Sequence, residues 1–377
     1  MVKRLVIVIL IFLMIILSGC WDKIEIEKRA FILGIAIDKA DSRDEVMVTF
    51  QIALPKAFGA ETGGEMEAYW NITKTAKNIG IARDMLFESI NWVPTFEHCP
   101  LLLIGEDLAK EGLKEYMDFF LRTYDIRRRM VVAVVQGKAR DLLDIKTKSE
   151  PVPAFFISEI MNQNSDHKYG ISGSSYLGRI HEKLVRNADF MLSRVILDGK
   201  DKVRVAGGGL FKDFKLVGWL DSNELMAARM LRGDISGGYL TSDLPKELGS
   251  RIILRIFDAS SSLTPKLQDD KLIVISRIRL EGDIIELDEP GVGINDINML
   301  RAIQDYMEKD LEDKIKKVFI KTQQQYDCNP FLLDERVMNS LPNYWDKINK
   351  NWHEIYKTIE LKVDADILIR RVGEVNY

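Results

Sequence analysis

One cysteine at the end of an apolar segment has the most definite chemistry in this sequence. The chain opens with a basic pair, continues from Leu5 to Leu17 without a polar side chain, and then reads Ser18-Gly19-Cys20. A positive start, a short apolar run and small residues before a cleavage point are typical of a secretory signal peptide. Because the Cys directly follows this run, as in a bacterial lipobox, we predict that residues 1–19 are removed and that Cys20 is acylated.

The length of the apolar run favours a cleaved signal over a permanent membrane span. At about 1.5 Å per residue, Leu5 to Leu17 would form roughly 20 Å of helix, against a hydrocarbon core of about 30 Å. Two acyl chains, at about 0.8 kcal/mol per buried CH₂, would anchor the chain stably where one chain would not. A signal peptide with an unmodified Cys, or an uncleaved short helix, is the alternative.

No other group of residues has the spacing that catalysis or metal binding requires. No two of the four histidines have metal-ligand spacing, and the sequence contains neither a CxxC nor an HExxH motif. The glycines at 207–209 precede no Lys-Ser/Thr pair, so they predict a closely packed strand, not a phosphate loop. We therefore predict no metal, no cofactor and no enzymatic activity. The histidines are His98, His167, His181 and His353.

Cysteine content and charge set two further expectations. If Cys20 carries lipid, Cys99 and Cys328 remain; they could pair, but the expectation is two free and buried thiols. The formal charge is −4, and loss of the leader with its basic pair makes the chain more acidic. Because a nucleic-acid-binding protein needs a basic face, this composition argues against such a partner.

The hydrophobic patterns predict strands and helices that alternate along the chain, and therefore an α+β fold. Asp221 followed by Glu224 predicts a helix N-terminus with a capping box. We expect three consecutive domains after the signal peptide, each a mainly antiparallel or mixed sheet flanked by helices, over residues 20–195, 200–283 and 284–377. The main elements are predicted as strands at 30–38, 45–53, 101–104, 130–136, 203–212, 216–220, 251–261, 271–280 and 358–370, and helices at 71–90, 105–122, 176–192, 221–232 and 296–325.

Several short segments, in order, resemble the Ger(x)C family, the C subunit of spore germinant receptors. The resemblance covers nearly the whole mature chain. One departure follows Tyr326-Asp327-Cys328, where the family usually carries a Phe-Gly-Phe-Gly-like turn and this chain reads Asn329-Pro330-Phe331. The matching segments are Gly19-Cys20-Trp21-Asp22, Leu33-Gly34-Ile35-Ala36-Ile37-Asp38-Lys39-Ala40, Ile104-Gly105-Glu106-Asp107-Leu108-Ala109, Phe120-Leu121-Arg122, Gly209-Leu210-Phe211-Lys212, Leu216-Val217-Gly218-Trp219-Leu220 and Ile367-Leu368-Ile369-Arg370-Arg371-Val372-Gly373.

The resemblance implies a lipoprotein on the outer face of the spore inner membrane. It implies association with two integral membrane subunits, A and B, and a role in the germination response to nutrients. It implies no enzymatic activity and no ligand-binding residue other than the lipidated Cys20. Two other functions stay open from the residues alone: a lipoprotein that holds the nutrient itself in a polar cleft between two lobes, and a membrane-tethered cell-wall hydrolase.

Overall fold

The computed structural model describes residues 3–5, 25–54, 67–165, 175–199, 201–288 and 297–372. These residues form two β-sheets, one of nine strands and one of four, with helices packed against both. The α+β expectation with mixed sheets is confirmed. None of the described helices is both long enough and apolar enough to cross a bilayer.

The first sheet has a parallel centre and antiparallel edges. Its strand order is β3-β2-β1-β5-β6-β7-β8-β9, and the short β4 pairs with the start of β1. Strands β1, β5, β6 and β7 run parallel, while β2 and β3 on one side and β8 and β9 on the other are antiparallel. The strands are β1 Arg29–Lys39, β2 Val46–Ala53, β3 Tyr69–Ala76, β4 Val93–Thr95, β5 Leu101–Gly105, β6 Val131–Val135, β7 Phe190–Leu197, β8 Val203–Lys212 and β9 Lys215–Leu220.

Helices cover both faces of this sheet, as a parallel sheet requires. Every residue of β5 and β6 is buried, because apolar clusters lie on both sides of these strands. The first cluster includes residues of four helices, and the second includes residues of one helix and a 3₁₀ turn at Arg140–Leu143. The helices are α1 Ile79–Phe87, α2 Glu106–Glu111, α3 Lys114–Arg122 and α5 Leu177–Arg186 on one face, and α4 Pro153–Ser165 on the other.

The second sheet is covered by helices on one face and carries charged side chains on the other. Its order is β10-β11-β12-β13, with β13 parallel to β12. On the uncovered face, ion pairs join β12 and β13, such as Arg279 with Asp366 at 3.4 Å. The elements are α6 Ser222–Arg232, β10 Gly238–Asp243, β11 Arg251–Gln268, β12 Lys271–Leu287, α7 Ile297–Ile320, a π-helical turn Lys321–Gln325, α8 Leu333–Ser340, α9 Pro342–Ile348, α10 Trp352–Thr358 and β13 Glu360–Arg371.

The sheets do not follow the three predicted units. The hairpin of β8 and β9 lies in the predicted middle unit, yet β8 pairs with β7 and extends the first sheet. The final strand β13 lies in the predicted third unit, yet it pairs with β12 over most of its length. The expectation of one sheet per unit is therefore wrong. Strands from different predicted units pair through their backbone hydrogen bonds, so the described strands form two sheets and not three. The division at 195–200 and 283–284 into separately folding domains stays a prediction.

Two predicted helices each contain a strand. The predicted helix 71–90 is β3 followed by α1, and the Asn78 side chain caps α1 by accepting a hydrogen bond from the Ile81 amide at 2.9 Å. The predicted helix 176–192 is α5 followed by β7, and Asn187 ends α5 in a left-handed conformation. In both places the apolar residues keep a three- and four-residue spacing along the whole segment, which is typical of one helix. Part of each segment nevertheless pairs with a neighbouring strand, and the local spacing does not show where the helix ends and the strand begins.

Candidate functional site

The residue with the clearest predicted chemistry, Cys20, lies outside the described residues. The first described residue after it is Glu25, and a 3₁₀ turn at Ile26–Lys28 leads directly into β1. His167 also lies outside the described part of the chain. Lipid attachment at Cys20 therefore stays a prediction.

Two of the family-like segments meet around a buried carboxylate. Asp38, near the end of β1, accepts hydrogen bonds from the backbone amides of Ala139 at 2.7 Å and Arg140 at 2.9 Å. Gly105, at the end of the neighbouring β5, faces the same carboxylate so closely that any side chain would collide with it. Burial raises the pKa of Asp38, and the two backbone hydrogen bonds oppose that rise. This cluster joins the Asp38 strand to the 3₁₀ turn that covers the sheet, so its role is structural.

A second polar cluster joins the first sheet to the chain after α7. Beyond α7, Asp327 accepts an ion-paired hydrogen bond from Lys212 at the end of β8, at 2.8 Å, and also contacts His353 at 2.7 Å. Gly218 in β9 lies against the Tyr326 ring, where a side chain would not fit. The β8–β9 hairpin, which carries two of the segments that resemble the family, therefore forms the surface against which the chain after α7 packs.

The segment that departs from the usual family turn is stabilised by its own hydrogen bonds. The Asn329 amide donates to Asp189 at 2.7 Å, and the Asn329 side chain accepts from the Leu333 amide at 3.3 Å. Phe331 is fully buried, and Leu332 takes a left-handed conformation before α8 begins. Burial raises the pKa of Asp189 to about 6, mainly through desolvation.

Cys99 and Cys328 are free and buried, as expected. Burial raises the pKa of the Cys99 thiol to about 12 and that of Cys328 well above its ordinary value. Such thiols are poor nucleophiles because the thiolate is the reactive form. Within the described ranges, no group of three or more His, Cys, Asp or Glu residues is placed to hold a metal ion.

A surface cavity of about 660 Å³ lies beside α1, α3 and β4. Three cations and three anions line it, so their charges balance. Arg122 pairs with Asp118 at 2.7 Å, Arg83 pairs with Asp84 at 3.0 Å, and the Arg83 guanidinium also lies 5.9 Å from the Phe119 ring centre. This cavity therefore presents little uncompensated charge.

The second cavity is a groove between the two sheets, and we call it the inter-sheet groove. It encloses about 580 Å³ and is lined by α5, the start of β7, the end of α6, Ala259 of β11 and the start of α8. Its charged lining residues are the four cations Arg179, Lys183, Arg232 and Arg336 and the two anions Glu182 and Asp234. Its apolar lining residues include Ile180, Met191, Ile235 and Leu332. Sequence reasoning missed this groove, because its residues come from five separate elements.

The cations of the groove differ in how they are held. Arg232 pairs with Asp234, and Arg336 donates to the backbone carbonyls of Phe331 and Arg232 at 3.5 and 3.3 Å. The Lys183 ammonium has no hydrogen bond or ion pair to another described residue, although the side chain is half-buried in α5. Burial lowers the pKa of Lys183 and the nearby Arg232 lowers it further, while Glu335 and Asp234 oppose the shift.

Comparisons with known proteins agree with the fold and with the segments described above. Residues 22–197 match the family model for the spore germination protein N-terminal domain, and residues 206–373 match the model for the spore germination B3/GerAC-like C-terminal region. Spore germination protein B3 of Bacillus subtilis (strain 168) is 25% identical over 97% of both chains. The putative spore germination protein YfkR of the same strain is 27% identical over 95% of this chain and 94% of its own.

A solved structure has the same fold. The crystal structure of the GerBC protein superposes with a TM-score of 0.60 and 22% sequence identity, covering 89% of this chain and 96% of the other. The two family models together span the β1–β7 region and the region from β8 to the last strand, and they meet at the β7–β8 connection. The chain therefore belongs to the Ger(x)C family of spore germination proteins.

Proposed function

We propose that this protein is the lipid-anchored C subunit of a spore nutrient germinant receptor. The single observation that carries the proposal is the match of both family models, which together cover nearly the whole chain after the predicted signal peptide. Relatives named as spore germination proteins over nearly their full length support a role in germination. The subunit would act at the outer face of the spore inner membrane through contacts with the integral membrane A and B subunits.

A non-enzymatic role is consistent with how the described polar residues are used. Asp38 accepts hydrogen bonds from two backbone amides, and Asp327 pairs with Lys212 at the end of β8, so both carboxylates hold parts of the fold together. Neither presents a carboxylate to an open cavity, which acid–base catalysis would need. We therefore propose that the protein works by presenting surfaces to its partners.

The anchor would hold the end of the first sheet at which β1 begins near the bilayer. Four residues lie between Cys20 and Glu25, so the five steps along the chain reach at most about 18 Å when extended. The starts of β1 and β4 pair beside this point, and Ile26 is 65% exposed there. We propose that this end of the sheet faces the membrane and the integral subunits.

Removal of the thiol tests the anchor. Cys20→Ala should abolish fatty-acid incorporation and shift the protein from the membrane to the soluble fraction, with a strong loss of nutrient-triggered germination, because two acyl chains supply the binding energy. Metabolic labelling, membrane fractionation and germination assays measure these effects. Ser18→Ala, which keeps the thiol, is the matched control. A Cys20→Ala protein that stays membrane-bound and fully active would contradict the anchoring role.

Co-purification tests the partner contacts separately from the anchor. Affinity-tagged protein extracted from spore membranes in non-ionic detergent should carry the A and B subunits in a fixed ratio. Detergent extracts of a strain lacking the A subunit provide the control. Recovery of this protein alone from intact membranes, with no integral subunit attached, would argue against a receptor subunit.

The inter-sheet groove keeps the nutrient-binding alternative open. A solute-binding lipoprotein needs a polar cleft between two lobes, and the groove lies between two sheets with charged walls. Calorimetry with amino acids and sugars on the full-length protein would distinguish the alternatives, because a germinant held by this subunit should give saturable heat without the A and B subunits.

A further inference from the structure

The inter-sheet groove carries more positive than negative charge in a protein that is acidic overall. Four cations and two anions line it, while the whole chain has a formal charge of −4. Charge of one sign in a concave site with low-dielectric walls concentrates ions of the opposite sign. The electrostatics of this groove therefore favour an anion.

The Lys183 ammonium makes no hydrogen bond or ion pair within the described structure, and the nearby carboxylates Glu335 and Asp234 offset only part of its burial. Burial without a partner disfavours an ammonium group, because the lost hydration is not replaced. In the same groove, Arg336 donates hydrogen bonds to two backbone carbonyls, which restrain its position before a ligand arrives. A fixed guanidinium and an unpaired ammonium can together neutralise one oxyanion, and fixing donors in advance lowers the cost of binding.

The apolar side chains in the groove wall indicate that a ligand should also have an apolar part. Ile180 and Ile235 are buried, and Met191 and Leu332 are half-buried in the wall, so a ligand would gain by covering these side chains. A volume of about 580 Å³ lies within the range of small-molecule sites, about 300–1,000 Å³. The groove is therefore suited to a molecule with both an anionic head and an apolar chain.

We propose that the inter-sheet groove binds a small amphipathic oxyanion, with its carboxylate or phosphate between Lys183 and Arg336 and its apolar chain against Met191 and Leu332. This site is independent of the receptor assignment, since it rests only on the groove. An occupant would contact Met191 of the first sheet and the start of α8, which packs against β11 of the second sheet, so binding should restrain the relative movement of the two sheets. By mass action it would also stabilise the folded protein.

Titration of the full-length protein in non-ionic detergent tests this site. Hexanoate supplies a carboxylate with a short chain, inorganic phosphate supplies a head without a chain, and hexanamide supplies the chain without charge. We expect saturable binding of hexanoate by calorimetry and a higher Tm in its presence. Phosphate should compete with hexanoate, and hexanamide should bind at least about tenfold more weakly, because a charge-assisted hydrogen bond is about twice as strong as a neutral one.

Variants then connect the binding to the groove. Lys183→Gln should weaken hexanoate about tenfold or more, and Arg179→Gln at the exposed rim should weaken it less. The matched control is Lys266→Gln, which removes the same charge from an exposed position of β11. Circular dichroism would establish that each variant is folded.

Three results would overturn the proposal. One is the absence of saturable binding of either hexanoate or phosphate. Another is equal affinity for hexanoate and hexanamide, which would mean that the site does not recognise charge. The third is an equal loss of affinity in Lys183→Gln and Lys266→Gln, which would reflect net charge alone. None of these results bears on the proposed receptor role, which the anchoring and co-purification experiments test.

Discussion

The Asp38 cluster and the inter-sheet groove each contain a charged group removed from water, but only the first is satisfied by the protein itself. Asp38 accepts two backbone hydrogen bonds, whereas the Lys183 ammonium has no hydrogen bond or ion pair to a described residue. Burial shifts both pKa values toward the neutral form, upward for Asp38 and downward for Lys183. The contrast indicates that Asp38 serves the stability of the fold, while Lys183 is available to a ligand.

The largest expected effect is the loss of the Asp38 carboxylate. Asp38→Ala would leave the buried amide of Ala139 and the partly buried amide of Arg140 without acceptors, so we expect the free energy of unfolding to fall by about 3 kcal/mol. Chemical denaturation at pH 7 measures this change. Asp41→Ala, in the exposed turn beside β1, is the control and should change stability by less than about 0.5 kcal/mol. If Asp38→Ala lowered the free energy of unfolding as little as Asp41→Ala, the Asp38 carboxylate would not stabilise the fold, and the contrast with Lys183 would be lost.

A smaller effect is expected from Asp189, which lies next to the groove. Its pKa of about 6 in the folded protein is above the ordinary value of 3.8, so the folded state binds this proton more tightly than the unfolded state. Its contribution to stability is therefore fully present below about pH 4 and is lost as the pH rises through about 6. After allowance for solvent screening of this half-buried group, the loss should be about 2 kcal/mol.

Comparison of two variants isolates that contribution. The Asp189→Asn side chain cannot ionise. The difference in unfolding free energy between this variant and the unmodified protein should therefore change by about 2 kcal/mol between pH 4 and pH 7. Asp198→Asn, at an exposed position just beyond β7, should show no such change. A pH dependence that is identical in all three proteins would mean that Asp189 has an ordinary pKa.

The smallest expected effect is a gain in stability at Lys183. Lys183→Met removes a half-buried ammonium that lacks a described partner and retains apolar contact, so the free energy of unfolding without ligand should rise by less than about 1 kcal/mol. Thermal unfolding at low and high salt measures it. The same substitution at Lys266, an exposed residue of β11, should give no gain. A loss of stability in Lys183→Met would show that the ammonium stabilises the fold.

Local chemistry predicted many of the elements correctly. The apolar runs that form β5 and β6 are predicted as strands because strands covered on both faces are apolar throughout. The capping box of Asp221 and Glu224 is present at the start of α6, as the spacing predicts. The stripe from Ile303 to Val318 is buried in α7, as its period requires.

Predictions failed where a choice depended on partners distant in sequence. The segment 71–76 follows a helical spacing but pairs with β2, because the open edge of β2 satisfies its backbone hydrogen bonds. The sequence of the β8–β9 hairpin predicts the hairpin itself but not the sheet that it joins. Its pairing with β7 places it in the first sheet. Hairpin pattern and helix period are local properties, and they contain no information on which edge a strand will join.

The sequence by itself determined the composition of the elements, the buried thiols and the segments that identify the family, because each depends on residues close together in the chain. Acylation of Cys20, inferred from the order of charge, apolar run and small residues, stays a prediction of the sequence. Only the tertiary structure decided that there are two sheets and that Asp38 meets Ala139. It alone assembled the inter-sheet groove, since cations from three helices become neighbours only when the two sheets pack together.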